Sequence, residues 1–150
     1  ALADFQLGRF AFYFSDVRKN CSTWTWIERT ATGAVCGIGH RRQGDGQKRF
    51  QGSRGIVLAT AHAADPKKLR ADIVARRRVI LTEGFSDTVA AHAMGEVAIG
   101  RPSVAGGMVE IAALLNSLDL PDTIEVIISG ENYQNDQDAA GRWPGRDAAR

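Results

Sequence analysis

Two apolar runs in this chain end in carboxylates. Val79-Ile-Leu-Thr82 leads directly into Glu83-Gly84, and Asp87 follows four residues after Glu83. Ile124-Glu-Val-Ile-Ile-Ser129 leads into Gly130-Glu131, with Asp136 and Asp138 close behind. Carboxylates gathered in one place repel each other unless a cation sits among them, and their hard oxygens suit Mg²⁺ or Mn²⁺. The opposite charge is concentrated upstream. Residues 1–78 hold 15 Lys and Arg against 6 Asp and Glu, whereas residues 79–150 hold 4 against 11. A basic half joined to an acidic half places a surface for phosphates beside a surface for cations. Arg41, Arg42, Lys48, Arg49 and Arg54 are the candidates for phosphate contact. The chemistry these residue types could perform together is metal-dependent reaction of phosphodiesters.

Such residues need elements that bring them together. Thr23-Trp-Thr-Trp-Ile-Glu-Arg-Thr30 alternates bulky and polar β formers, which predicts a half-buried strand. Ala31-Thr-Gly33 is a turn, and Ala34–Gly39 its hairpin partner. Arg41-Arg-Gln-Gly-Asp-Gly46 reads as a second turn, with Lys48–Phe50 and Gly55–Ala59 as short strands after it. Beyond Asp65-Pro66, an N-cap followed by proline at the first helical position, the pattern becomes alternating helix and strand. A helix to about Arg76 precedes strand Val79–Thr82, and helix Ser86–Met94 closes at Gly95. Strand Val97–Ile99, turn Arg101-Pro-Ser103, helix Gly107–Leu118 and strand Ile124–Ser129 complete the series. Continuous apolar strands joined by helices predict a buried parallel sheet with right-handed crossovers and helices on both faces. Functional groups of such sheets collect at the carboxyl ends of the strands, where Glu83 and Glu131 fall. The expected architecture is α/β: a basic antiparallel β subdomain over 1–64, then an α/β domain over 65–150.

With these residues in place, the chain resembles the toprim domain of bacterial-type and phage or plasmid primases, topoisomerases and some nucleases. That family's first motif is a strand ending in Glu-Gly with Asp four residues after the Glu, and Val79-Ile-Leu-Thr-Glu-Gly-Phe-Ser-Asp87 matches it. Its second motif is a strand followed by Asp-x-Asp and a nearby Gly. Glu131 has the right position for the first of those acids, while Tyr133 stands where the second is expected. Asp136-Gln-Asp138-Ala-Ala-Gly141 fits the letters but starts seven residues after Ser129, so Asp136 and Asp138 are replacements for that second acid. The basic hairpin over Ala34–Arg54 is similar to the β region that precedes toprim in primases. The likeness spans roughly 23–150, and in it the 65–150 unit is a toprim-like sheet truncated at its C-terminal end.

The resemblance implies a primase-like nucleotidyltransferase making RNA primers on single-stranded DNA in replication. Its metal would be held by Glu83, Glu131, Asp136, Asp138 and Asp87, with Glu83 also the catalytic group. Its partners would be single-stranded DNA and nucleoside triphosphates, with a replicative helicase as a further candidate. Two rivals stand beside it: a toprim-type nuclease or topoisomerase fragment, and a non-catalytic nucleic-acid-binding module with a decayed metal site.

The remaining signals are bland. Cys21 and Cys36 lie far apart and lack the paired spacing of a zinc site, so they read as reduced structural thiols of a cytoplasmic protein. No apolar run is long enough to span a bilayer. Trp24 and Trp26 share one strand face and are expected in the core, and His40 and His92 read as structural. Gly106-Gly107 is too short a signal for a phosphate loop. The start at Ala1 and the stop at Arg150, inside a helix start, read as the ends of a fragment.

Overall fold

A computed structural model describes residues 23–42, 48–103 and 106–130. Strands β1 (Thr23–Arg29), β2 (Val35–Arg42) and β3 (Lys48–Gly52) form an antiparallel sheet in the order β1-β2-β3. The parallel sheet is built from β4 (Arg78–Glu83), β5 (Ala98–Arg101) and β6 (Glu125–Ile128), in the order β5-β4-β6. Helices α1 (Thr60–Ala64), α2 (Pro66–Arg76), α3 (Gly84–Ala93) and α4 (Met108–Ser117) connect and flank these strands. The architecture is the α/β arrangement expected from the sequence. No helix among the described residues is long and apolar enough to cross a membrane.

The local signals act as their chemistry requires. Asp65 caps α2 by accepting hydrogen bonds from the backbone N–H groups of Lys67 (2.9 Å) and Lys68 (3.2 Å), with Pro66 at the first helical position. Gly95 takes φ 83° just past α3, where the helix was expected to close. Side chains alternate along β4. Val79 and Leu81 pack in one cluster with Leu69 and Ile73 of α2 and Ile111 and Leu114 of α4. Thr82, on the opposite face, hydrogen-bonds Thr88 of α3 at 2.9 Å. Helices therefore cover both faces, and burying each Leu or Ile stabilises the fold by about 1.5–3 kcal/mol.

Three readings need correction. Arg41 and Arg42 do not form a turn: they close β2, opposite Trp24 and Thr23, because the hairpin ladder extends further than its apolar residues. Gly55–Ala59 is not a strand of the basic sheet. Its backbone makes one antiparallel bridge to Arg29 of β1 and another to Gly100 of β5. Ile56 and Arg29 exchange both N–H···O bonds at 2.8 Å, and Val57 and Gly100 do so at 2.8 and 2.9 Å. Ile56 and Leu58 enter the cluster below the parallel sheet, while Val57 and Ala59 pack with Trp26 and Phe85. This segment is thus the seam that joins the two sheets. Helix α1, directly after it, was not foreseen, and α3 starts two residues earlier than expected.

Gly100 sets how closely α3 approaches β5. A Cβ there would lie 2.1 Å from Thr88 Oγ1 and 3.0 Å from Val57 Cβ. Gly100→Ala is expected to cost about 1–3 kcal/mol, the range for overpacking a filled core. Urea denaturation checks this; a loss below about 0.5 kcal/mol would mean that the helix can shift away freely.

Candidate functional site

Glu83 is the last residue of β4 and the N-cap of α3. The chain turns from strand to helix at Gly84, whose φ is 77°. A Cβ at Gly84 would meet nothing within 4 Å, so backbone conformation and not crowding calls for glycine there. Thr88 Oγ1 donates to the Gly84 carbonyl at 2.7 Å while pairing with Thr82 Oγ1, which ties the turn down from below. The carboxylate that results is held in an uncommon state. Glu83 Oε2 is buried and accepts no hydrogen bond, and among the described residues Arg101 Nη2 lies 3.9 Å from it. Glu83 and Arg101 are register partners at the ends of neighbouring parallel strands.

In front of Glu83 lies a cavity of about 450 Å³. One wall belongs to the antiparallel sheet and its exit: Arg41, Lys48, Arg49 and Arg54, with Trp26, Glu28 and Phe50. The facing wall is the start of α3 and the loop after β5: Glu83, Gly84, Phe85, Ser86 and Pro102. The structure therefore brings four of the five basic candidates to the same space as Glu83. The side chain of Arg42 lies outside the described residues.

Two contacts fix the distance between the walls. Trp26 stacks on Phe85 with ring centroids 5.0 Å apart and planes 7° from parallel. This matches the expectation that Trp26 belongs to the core. The second contact centres on Glu28, which is 0% exposed. Its Oε2 accepts from Gly55 N–H (2.8 Å) and Arg54 Nε (3.0 Å), and its Oε1 accepts from Trp26 Nε1 (3.3 Å) and meets Arg54 Nη2 at 2.9 Å. Arg54 Nη2 also donates to the Pro102 carbonyl (2.8 Å), and the guanidinium lies 4.3 Å over the Phe50 ring. Arg54 is thus a strut between the sheets as well as a cation at the cavity, whereas Arg41, Lys48 and Arg49 stand exposed along its wall.

Sequence reasoning overlooked Glu28, Phe85 and Arg101. A signal existed for Glu28, since it sits two residues after Trp26 on the same face of β1 and so had to be buried with a partner. Asp87 occupies the first turn of α3, where a carboxylate favours the helix N-terminus, and is not a wall of the cavity. Its side chain accepts a long hydrogen bond from Ser86 Oγ (3.4 Å). Glu131, Asp136, Asp138 and Tyr133 lie outside the described residues.

The fit of a divalent cation rests on Glu83 alone among the described residues, because its buried Oε2 is an acceptor with no donor. No three His, Cys, Asp or Glu side chains among the described residues are grouped to hold a metal ion. Ser129, just after β6, donates its N–H to the Leu81 carbonyl at 2.8 Å, so β6 ends at the same end of the sheet as Glu83.

The histidines lie elsewhere. Burial and then the charge of Arg49 hold the imidazole of His40 below its ordinary value. His92 meets the edge of buried His62 with centroids 6.2 Å apart, and His62 Nε2 is 2.8 Å from Asp72 Oδ2. A hydrogen bond from Lys68 and another from His62 keep the Asp72 carboxyl below the usual carboxylate range. Compared with known proteins, the chain matches no family model, no curated protein and no solved structure.

Proposed function

We propose that this chain is a primase-like, toprim-type nucleotidyltransferase that joins nucleotides on a single-stranded DNA template with the help of Mg²⁺ or Mn²⁺. The observation that carries the reading is the pairing, across one cavity, of a strand-end carboxylate whose buried oxygen lacks a donor with a wall of lysine and arginine. The motif Glu83-Gly84-Phe-Ser-Asp87 at a strand-to-helix turn supports it.

In this reading Glu83 holds the metal together with Glu131 and with Asp136 or Asp138, and Asp87 orients that set from the first turn of α3. A bound divalent ion supplies neutralisation of the triphosphate and alignment of the attacking hydroxyl. Glu83 would also exchange a proton with that hydroxyl. Arg41, Arg42, Lys48 and Arg49 hold phosphates of template or nucleotide by charge, with little sequence preference. Arg54 contributes charge from a fixed position. A cytoplasmic location and a replicative helicase as partner belong to the same reading.

The test has two stages. Mn²⁺ should bind the folded chain in calorimetry, and binding should be lost with Glu131→Gln. Primer synthesis on single-stranded DNA with nucleoside triphosphates should then require the metal. A folded chain that binds no Mn²⁺ at millimolar concentration rules the catalytic reading out. The basic wall is tested separately. Arg41→Gln, Lys48→Gln and Arg49→Gln should each weaken binding of single-stranded DNA and lower the slope of log K against log salt by about 0.7. Fluorescence anisotropy across a salt series measures this, and an unchanged slope removes that residue from the interface.

Tyr133, at a position where the second acid is expected, favours one alternative: a nucleic-acid-binding module without catalysis. That module would bind DNA with the same salt dependence, indifferent to Mg²⁺ and to Glu83→Gln.

A further inference from the structure

We infer that the cavity in front of Glu83 binds a terminal phosphate, a phosphomonoester held directly by side chains with no metal between. Such a site rests on the phosphate contacts proposed above and not on the metal. Arg41 of β2 and Lys48 of β3 are register partners across the antiparallel ladder. They lie one alternation beyond Gly39 and Phe50, which pair with each other, so all four share the sheet face that carries Trp26. Like charges placed directly opposite repel and cost stability. Among the described residues neither of them, nor Arg49, makes an ion pair. Three cations thus line one cavity without a partner of their own, an arrangement that an anion completes.

The class of ligand follows from the charge and from the aromatic rings. Arg54 is paired with Glu28, so those two charges offset each other. Arg41, Lys48 and Arg49 then stand against Glu83 alone, three positive charges against one among the described lining residues. That surplus matches a phosphomonoester, which carries about −1.5 to −2 near pH 7, better than an internal phosphodiester with its single charge. A volume of about 450 Å³ is that of a small-ligand pocket and suits an end group. The described walls offer a base little to stack on. Trp26 and Phe85 stack on each other, and a Cβ at Gly39 would lie 2.2 Å from Trp26 Cε2. The Arg54 guanidinium lies over Phe50. Each of these rings already has its partner, so recognition falls to the phosphate, whichever base it carries.

The experiment is calorimetric titration of the full chain, in EDTA, with adenosine 5′-monophosphate, thymidine 5′-monophosphate and adenosine. The two monophosphates should bind equally well at a single site. Adenosine should bind at least about tenfold more weakly, the worth of one charge-assisted hydrogen bond. Arg41→Gln and Lys48→Gln should each weaken the monophosphates about tenfold, whereas Lys48→Arg should keep their affinity. Both side chains are exposed, so the variants should fold, and the comparison of monophosphate with nucleoside needs no variant. Adenosine binding as tightly as its monophosphate overturns the inference. So does a monophosphate that binds only once Mn²⁺ is added, a result that leaves the metal reading standing. Monophosphates that fail to bind, while single-stranded DNA still binds with its salt dependence, also overturn it and leave the basic wall as a contact for backbone phosphates. A chain that binds neither monophosphate nor DNA defeats the phosphate reading of that wall itself.

Discussion

Glu83→Gln is expected to remove calorimetric Mn²⁺ binding and to lower primer synthesis more than about a hundredfold, the upper end of what loss of a mere supporting residue costs a metal site. The change is nearly isosteric and takes away one charge. It breaks no hydrogen bond at Oε2, because that oxygen accepts none. The fold should survive at a cost of up to about 3 kcal/mol, because Arg101, 2% exposed, loses an opposite charge 3.9 Å away that it does not hydrogen-bond. Circular dichroism and urea denaturation check the fold, and calorimetry the metal. A variant that keeps both fold and Mn²⁺ affinity would show that Glu83 is an ordinary strand-end carboxylate. A variant that keeps DNA binding but loses the metal separates the acidic wall of the cavity from its basic wall.

Glu28→Ala should be the most damaging single change to the fold. Glu28 is completely buried and serves Gly55 N–H, Trp26 Nε1 and the Arg54 guanidinium at once. Removing one partner of a buried ion pair costs about 3–5 kcal/mol when the other charge is trapped. Arg54 is 49% exposed, so water takes up part of its charge and the expected loss is nearer 2–4 kcal/mol. For a chain of this size that lowers the melting temperature by roughly 5–15 °C. The damage should fall on the seam between the sheets, because Gly55 leads into the segment that bridges Arg29 and Gly100. Glu28→Gln, which keeps one acceptor oxygen, should lose about half as much. A melting temperature lowered by less than about 2 °C in Glu28→Ala would mean that the Trp26–Phe85 stack and Ile56–Ala59 hold the walls together without it.

The two effects differ in kind, and the difference bears on how such a site is built. Glu83 should cost the fold less than Glu28 because its Oε2 accepts no hydrogen bond, which also leaves that oxygen open to a ligand. Glu28 is costly because every lone pair it offers is taken. A carboxylate with no donor and one with several stand on opposite sides of the same cavity. Only the first has an oxygen without a hydrogen-bond partner.

Much of this was legible in the residues. Alternation in Thr23–Arg29, the turn at Ala31–Gly33, the Asp65-Pro66 cap and the apolar runs at Val79 and Ile124 determined the elements, because each signal is local. The run of apolar strands with helices between them determined a parallel sheet, and with it the end of the sheet where Glu83 would be found. Charge counts separated a basic half from an acidic one. What no local signal could carry was the pairing of distant segments. The register that sets Arg101 beside Glu83, the bridges that make Gly55–Ala59 a seam, and the meeting of Trp26 with Phe85 are contacts between residues far apart in the chain. They depend on packing and on which buried polar group finds which partner, and those were decided only when the two sheets came together.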